Sequence, residues 1–490
     1  MSTSPCALFW LTSLALFAGC SEPAAPPRPN VLLITVDSLR ADHLGCYGYD
    51  RETTPNLDRL ATESVLFERA YSHAPFTAPS HASLLTSLHP KSHGVFAWAE
   101  ELSPGARNLA ERFEPAGYRT GAFYNHPGLR TSNVTRGFDE VQERYFEEAP
   151  KTAAAFLDWV DADAQPFVSW VHLWDVHRPY GYRDWTPDFY ADHIERAPDA
   201  MTLAYAEDKF GSPVPPATIE TGRTEAAYNL NVGRRETLTR QIGEERATAN
   251  MDFIQTRYDG GVWFADQGLG QIIDGLRERG LLDSTILVIT ADHGESLTER
   301  DACYFTHDPF LYEETLHVPL IVRLPGAKYA GTRVSELARL IDVVPTLHEL
   351  ADVALVGDEQ GHSLVPQMAG QPSEGAVLLA GTRTKNAKET VQRIEPGQPG
   401  WLEQRVAISD GHHKAIHDVE ADVWQLFDLD ADPGEVHNLA VDPAFAKQLA
   451  HLQAIAEKLS TSLPAAGDTT TALAADLEQL LISTGYLGNE

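Results

Sequence analysis

The chain has 490 residues, of which 70 are acidic and 38 basic, giving a formal net charge of −32. Because nucleic-acid phosphates are held mainly by Lys and Arg, this acidity argues against a nucleic-acid partner. A small anionic substrate is not excluded, since a bound metal ion can reverse the local sign of charge. The length allows one large domain with a smaller one attached, or roughly two to three ordinary domains.

The N-terminus carries an apolar run of the export type. Residues 7–19 are too few for a transmembrane helix and suit the core of a signal peptide. Residues 17–20 (Phe-Ala-Gly-Cys) resemble a bacterial lipoprotein cleavage box, and the Pro- and Ala-rich residues 21–29 read as a tether. We therefore expect an exported lipoprotein with its lipid anchor at Cys20, on the periplasmic side of a membrane or at the cell surface. The first ten residues lack Lys and Arg, so a secretory signal without an anchor is the alternative.

Apolar runs alternate with helical patterns along the following part of the chain. Three runs are typical of buried parallel strands, namely 30–37, 167–173 and 285–293. Helical periodicity lies between them, at Pro55–Glu68, Ala106–Ala116 and Tyr258–Arg279. Strands that alternate with helices predict an α/β fold with a doubly wound, mostly parallel sheet, in which ligands bind at the carboxyl ends of the strands.

The C-terminal part has a different pattern. Short strands separated by turn residues predict a small antiparallel sheet, at Ala376–Ala380, Val406–Ser409, His413–His417 and Trp424–Asp428. Helical segments follow at 443–460 and 472–481. We predict an export segment over residues 1–29, a catalytic domain over 30–370 with an insertion at about 190–250, and a C-terminal subdomain with a helical tail over 371–490.

Two features carry chemistry. Thr77 precedes Pro79 and an apolar helical pattern, so its hydroxyl is placed at a helix N-terminus, where free N–H groups and the helix dipole favour an anion. Asp37, Asp292 and His293 follow two of the predicted strands and should meet at one sheet edge, where carboxylates and an imidazole can hold a divalent metal ion. The alternatives are a helix N-cap for Thr77 and capping or ion-pair roles for the others.

Together these segments resemble the sulfatase family. The segment from Thr77 to Ser87 is similar to the family's active-site signature, with Thr77 at the Cys or Ser position, His81 at the Arg and Ser87 at the final Gly. Further blocks are similar and occur in the family's order, at 31–49, 290–296, 312–326, 341–347 and 426–439. The resemblance covers about residues 29–441. It implies a fold of the alkaline-phosphatase type with a C-terminal subdomain, and hydrolysis of sulfate or phosphate esters at a metal-bound nucleophile.

By position, the resemblance implies that Asp37, Thr77, Asp292 and His293 hold one divalent metal ion. Ser38 stands where many sulfatases have a second Asp, so one ligand is weakened or lost. Ca²⁺ is the family's usual ion, whereas the imidazole suits Mn²⁺ or Zn²⁺.

Sulfatases oxidise the Cys or Ser of their signature to formylglycine. Thr77 cannot form that aldehyde, because its β-carbon carries a methyl group. We therefore expect Thr77 to act directly as a metal-activated alkoxide, as in phosphodiesterase relatives with a Thr-x-Pro-Asn-His signature.

Four further residues are assigned by the same resemblance. Asn125 replaces a sulfate-binding Lys and either donates to a developing oxyanion or is a turn residue. His177 and His307 match substrate-side histidines and either protonate the leaving alkoxide or lie in solvated loops. His81 either orients the turn at Thr77 or reaches the substrate.

Two other polar residues are judged less important for the chemistry. His172 is expected to pack in the interior. Asp175 lies near His177, but their spacing does not match that of two-zinc relatives, so one metal is expected.

Three functions stay open on the sequence alone. The first is a metal-dependent hydrolase of sulfuric esters, or of related phosphate and phosphonate esters, acting through Thr77 on small substrates that include glycan-linked ones. The second is a phosphodiesterase, a phosphonate hydrolase or a phospho-group transferase. The third is a lipoprotein that binds anions or glycans without turnover.

Overall fold

The computed structural model describes residues 28–97, 100–161, 163, 166–177, 180, 244–300, 307, 309–372, 376–382, 405–419 and 421–466. The export segment with Cys20, most of the predicted insertion and the predicted helix at 472–481 lie outside these residues and stay predictions. Within them, none of the helices is long and apolar enough to cross a bilayer.

A large sheet of eight strands forms the centre of the described fold, in the order β4-β3-β5-β1-β6-β7-β2-β8. Among these strands, only β7 runs antiparallel to its neighbours β6 and β2. The predicted α/β fold with a doubly wound, mostly parallel sheet is therefore confirmed. The strand bounds are β1 Asn30–Val36, β2 Val65–Tyr71, β3 Arg119–Tyr124, β4 Glu140–Glu143, β5 Phe167–Leu173, β6 Thr285–Ala291, β7 His317–Arg323 and β8 Arg333–Arg339.

The register of the central strands brings three strand ends together. Strands β1, β5 and β6 are buried along their whole length, as continuous apolar runs predict. Val36 at the end of β1 pairs with Leu173 of β5 on one side and with Ala291 of β6 on the other. The residues that follow these strands therefore emerge at one edge of the sheet.

Helices cover the faces of this sheet. The described helices are α1 Pro55–Ala61, α2 Thr77–Thr86, α3 Pro90–His93, α4 Leu109–Phe113, α5 Ala149–Asp161, α6 Glu244–Glu278, α7 Glu313–Leu316, α8 Val343–Leu350, α9 Val365–Met368 and α10 Ala446–Ser462. The prediction of one helix over 55–68 is wrong in its second half, where β2 begins at Val65. The apolar residues there are buried because β2 pairs with β7 and β8, so tertiary pairing overrides the helical pattern.

The predicted helix over 106–116 is shorter than expected. Its α-helical part begins only at Leu109, because Asn108 and Glu111 form a capping box that fixes the helix start. A 3₁₀ turn at Glu114–Ala116 completes the segment.

A small antiparallel sheet follows in the C-terminal part, as predicted. Its strands are β9 Leu378–Thr382, β10 Arg405–Ser409, β11 His413–Asp418 and β12 Val423–Asp428. They lie in the order β12-β11-β10-β9. The buried ammonium of Lys414 on β11 contacts Glu313 at 2.7 Å and Glu435 at 2.8 Å, which ties this sheet to helix α7.

Candidate active site

The hydroxyl of Thr77 lies at the N-terminus of α2. Thr77 is the first residue of this ten-residue, fully buried helix, and the N-cap is Phe76, which makes no side-chain cap bond. The N-cap alternative for Thr77 is therefore not what the structure shows. Ser87 ends the helix with a φ of 60°, a left-handed conformation that glycine adopts most easily. The Ser87 hydroxyl donates to the Ile341 carbonyl at 2.7 Å, which holds this residue in the family's glycine position.

Three predicted metal ligands lie around the Thr77 hydroxyl. Nε2 of His293 is 3.3 Å from Oγ1 of Thr77 and 3.4 Å from Oδ2 of Asp292. The same nitrogen is 3.9 Å from Oδ1 of Asp37. All four residues are buried, with at most 1 % of their surface exposed. The structure thus brings together the four residues that the sequence assigned to metal binding.

The hydrogen bonds around this cluster leave lone pairs facing one another. Nδ1 of His293 donates to the Gly294 carbonyl at 2.8 Å, so in the neutral ring the lone pair is on Nε2, the atom that faces Thr77. Oδ2 of Asp37 and Oδ2 of Asp292 are buried and accept no hydrogen bond. A shared cation satisfies such converging acceptors, so the residues fit a divalent ion with oxygen and nitrogen ligands.

Neighbouring groups orient the ligands. Ser38 adopts a φ of 57° and donates its hydroxyl to Oδ1 of Asp37 at 2.8 Å, while its backbone N–H donates to Oδ1 of Asp292 at 3.1 Å. Ser38 therefore supports two carboxylates rather than supplying the second carboxylate itself. Gly294 is required after His293, because a Cβ there would lie 2.2 Å from the Glu314 carbonyl oxygen.

The charges in the cluster shift its pKa values. Burial, together with the charge of Asp37, raises the pKa of Asp292 to about 6. Burial opposes the charged form of His293, but the two carboxylates outweigh it and raise the pKa of His293. Burial alone would raise the pKa of Asp37, yet His177, His172 and His126 hold that pKa well below its usual value. The cluster therefore retains protons that a bound cation would displace.

A second group of ligand-type atoms shares Asp37. The side chains of Asp37, His126 and His177 offer one atom each within 4.8 Å of one another. Nδ1 of His126, however, accepts the Gly128 N–H at 3.1 Å, and burial holds the pKa of His126 well below its ordinary value. A neutral ring then carries its proton on Nε2, which makes that atom a donor rather than a metal ligand. The geometry therefore does not fix the number of metal ions, and the expectation of one metal stays a prediction.

The other predicted histidines pack beside the same cluster. Nδ1 of His307 donates to the Pro75 carbonyl at 2.6 Å, and its ring lies 4.2 Å from that of His293. The ring of His177 is 5.5 Å from His126 and 6.1 Å from His307. His177 and His307 are at most 8 % exposed, so neither is a solvated loop histidine.

Asp175 and Asn125 each bind backbone of a segment distant in sequence. Oδ1 of Asp175 accepts the Ala149 N–H at 3.2 Å, at the start of α5. Nδ2 of Asn125 donates to the Glu147 carbonyl at 2.9 Å, whereas its buried Oδ1 accepts no hydrogen bond. The turn role and the oxyanion contact of Asn125 both stay predictions.

Comparison with known proteins decides the family. The model of the sulfatase family matches residues 29–353, which is more than half of the chain. This chain belongs to the sulfatase family. A second model, for the C-terminal part of N-sulphoglucosamine sulphohydrolase, matches residues 303–462. Membership of this family makes the chain an ester hydrolase.

One relative and two solved structures show what the chain is similar to. An arylsulfatase of Clostridium perfringens is 26 % identical over 377 residues, which cover 69 % of this chain and 78 % of the relative. The phosphonate monoester hydrolase of Agrobacterium radiobacter superposes with a TM-score of 0.67 at 23 % identity, covering 89 % of this chain and 95 % of that one. Another protein, whose structure was solved in complex with its substrate D-glucosamine-2-N,6-O-disulfate, superposes with a TM-score of 0.70 at 20 % identity. The match covers 89 % of this chain and 98 % of that one.

Sequence reasoning missed other residues of this sulfatase-family site. His126 lies beside Asp37 and His177, and Thr35 on β1 is the register partner of His172 on β5. His172 is fully buried, as expected, but its contact with Thr35 was not foreseen. Thr35 carried a usable signal, because it precedes Asp37 by two residues and side chains two apart share a face of a strand. The contribution of His172 depends on strand register, which the sequence does not reveal.

Proposed function

We propose that this chain hydrolyses monoesters of a tetrahedral oxyanion by direct attack of Oγ1 of Thr77, with one divalent ion held by Asp37, Thr77, Asp292 and His293. The observation that carries the proposal is the position of Oγ1 of Thr77. It lies at a helix N-terminus, 3.3 Å from Nε2 of His293. The neighbouring Oδ2 atoms of Asp37 and Asp292 are buried and accept no hydrogen bond. A divalent ion bound there would lower the pKa of the Thr77 hydroxyl and offset charge on the ester oxygens.

The side chains account for the steps of this reaction. Thr77 loses its proton to solvent, and its oxygen forms a bond to the central atom of the ester while the bond to the alcohol oxygen breaks. Nε2–H of His126 donates to a non-bridging oxygen. His177, in its protonated form, gives its proton to the leaving alkoxide. Water then attacks the Thr77 ester, the acid anion leaves and Thr77 regains its proton.

The single hydroxyl of Thr77 favours phosphate or phosphonate monoesters. A hydrated aldehyde has a second hydroxyl that can expel the acid anion by elimination, whereas a threonine ester is cleared only by water attack at phosphorus or sulfur. The likeness to a phosphonate monoester hydrolase supports this choice. Sulfuric esters of small sugars are the second candidate, because relatives include an arylsulfatase and a structure bound to a glucosamine disulfate.

A substrate panel tests the proposal. Four proteins would each be loaded with Mn²⁺, Zn²⁺ or Ca²⁺: wild type, Thr77→Ala, Thr77→Ser and the exposed control Thr62→Ala. Each would then be assayed on an aryl phosphate, an aryl phosphonate, a phosphodiester and an aryl sulfate. We expect Thr77→Ala to lose at least about 10³-fold in kcat, and Thr77→Ser and Thr62→Ala to stay active. Turnover that survives Thr77→Ala would reject Thr77 as the nucleophile.

Two further proposals concern the context of the reaction. We propose that the chain is exported and anchored through a lipid at Cys20, on the basis of its N-terminal segment. We also propose that the alcohol half of the substrate is a small or glycan-linked group, in keeping with the sulfated sugar bound by one relative.

A further inference from the structure

One buried hydroxyl lies between the metal-ligand cluster and the turn that carries Thr77. Oγ1 of Thr35, on β1, is 3.0 Å from Nε1 of Trp170, 3.1 Å from Nε2 of His81 and 2.9 Å from Nδ1 of His172. All four residues are fully buried. Three nitrogen atoms therefore share one oxygen, which has one proton to donate and two lone pairs to accept with.

The Thr35 hydroxyl must serve all three nitrogen atoms. The Trp170 indole N–H can only donate, so it uses one lone pair of the Thr35 oxygen. One proton and one lone pair are left, so the hydroxyl donates to one imidazole nitrogen and accepts from the other. Nδ1 of His81 lies 2.8 Å from the Thr77 carbonyl, which can only accept, so Nδ1 of His81 carries a proton. In either direction, one hydroxyl orients both rings.

Each histidine contacts one half of the catalytic apparatus at its other nitrogen. His81 holds the carbonyl of Thr77 through Nδ1, and the same nitrogen lies 3.7 Å from Oδ2 of Asp292. Nε2 of His172 lies 3.3 Å from Oδ2 of Asp37. The two rings also pack edge to face, 4.5 Å apart. A displaced Thr35 hydroxyl would therefore disturb both the nucleophile's turn and a metal carboxylate.

We propose that Thr35 is a positioning residue whose hydroxyl fixes the rings of His81 and His172, and through them the position of Thr77 relative to Asp37. This inference rests on the proposed function for the roles of Thr77 and Asp37. Groups that orient metal ligands in this way typically change metal affinity or activity by roughly 10- to 100-fold when removed.

Thr35→Val tests the inference, because it keeps the branched shape and removes only the hydroxyl. Thr35→Ser is the matched control, since it keeps the hydroxyl and loses a methyl group. Binding of Mn²⁺ and Zn²⁺ alone would be measured by calorimetry, with kcat and KM measured separately. We expect Thr35→Val to bind metal roughly 10- to 100-fold more weakly and to lower kcat more than it changes KM, with Thr35→Ser close to wild type.

The ring nitrogens give a second test that uses no substrate. Histidine ¹⁵N shifts, assigned with His81→Gln and His172→Gln, should show a proton on Nδ1 of His81, and the Thr35→Val change should move the signals of both rings. Signals of His81 and His172 that Thr35→Val leaves unmoved would overturn the inference. So would wild-type metal affinity and kcat in Thr35→Val, or equal damage in Thr35→Ser. The metal and ¹⁵N measurements use no substrate, whereas turnover surviving Thr77→Ala would reject only the proposed function.

Discussion

Nε2 of His293 lies 3.3 Å from the hydroxyl oxygen of Thr77, and Nδ1 of the same ring donates to the Gly294 carbonyl. The carbonyl fixes the tautomer, so the neutral ring directs a lone pair at the nucleophile rather than a proton. A histidine held in this way suits metal binding beside the nucleophile, because a metal ligand needs that lone pair. These contacts support the proposal that Thr77, in the family's Cys or Ser position, is a direct nucleophile.

Metal affinity should rise with pH. Asp292, with a pKa of about 6, and His293, with a raised pKa, must both lose protons before they can bind a metal ion. Below about pH 6 the apparent affinity should therefore fall about tenfold per unit or more. Calorimetry with Zn²⁺ or Mn²⁺ from pH 5 to 8, in two buffers of different ionisation heat, would measure both affinity and proton release. An affinity independent of pH, without proton release, would contradict this assignment.

His177 should matter most for poor leaving groups. In-line displacement places the leaving oxygen opposite Thr77, and His307 packs against His293 and Phe76 on the nucleophile side. We therefore expect His177→Gln to lower kcat/KM by about 10²- to 10⁴-fold for alkyl esters and much less for nitrophenyl esters. His307→Gln is the comparison, with similar losses for both esters. Equal losses of kcat/KM for alkyl and nitrophenyl esters in His177→Gln would show that His177 does not protonate the leaving group.

The mostly parallel sheet and the edge that carries the site could be predicted from the sequence, because continuous apolar runs end at polar residues. Asp37 and Asp292 follow continuous apolar runs, and parallel strands place such residues at one edge. Strand β2 could not be predicted, since its apolar residues continue the helical pattern of α1 and only pairing with β7 and β8 makes them a strand.

The contacts that support the site residues could not be predicted from the sequence. The contact of Thr35 with His172 depends on the register of β1 and β5, and that with His81 depends on how α2 packs on the sheet. Neither has a local sequence signal. The tautomer of His126 likewise depends on the Gly128 N–H, a contact that only the folded turn provides.

Lys414→Met should destabilise the protein strongly. The buried ammonium of Lys414 contacts Glu313 and Glu435, and its loss leaves the half-buried Glu313 without this cation and the buried Glu435 with Arg300 at 3.4 Å. Removing one partner of a buried ion pair typically costs about 3–5 kcal/mol. Lys151→Met, at an exposed pair with Glu148, is the control and should change stability by less than about 1 kcal/mol. Urea unfolding at pH 7 measures both; equal stability of the two variants would contradict the role of Lys414.

Cys20 should carry the lipid anchor if the N-terminal segment is of the lipoprotein type. Expression in a bacterial host with a labelled fatty acid should label wild type and leave Cys20→Ser unlabelled. Cys46→Ser is the control, because Cys46 is a thiol of the folded domain. Export of an unlabelled wild-type chain would instead favour a secretory signal without an anchor.

The covalent ester on Thr77 is the most direct test of the proposed mechanism. Metal-loaded enzyme would be mixed with excess substrate, quenched in acid during turnover and digested, and the peptide containing Thr77 examined by mass spectrometry. We predict one phosphoryl, phosphonyl or sulfuryl group on Thr77, according to the substrate, and none in Thr77→Ala, which should also be inactive. Sustained turnover with an unmodified Thr77 peptide and an active Thr77→Ala variant would contradict the account.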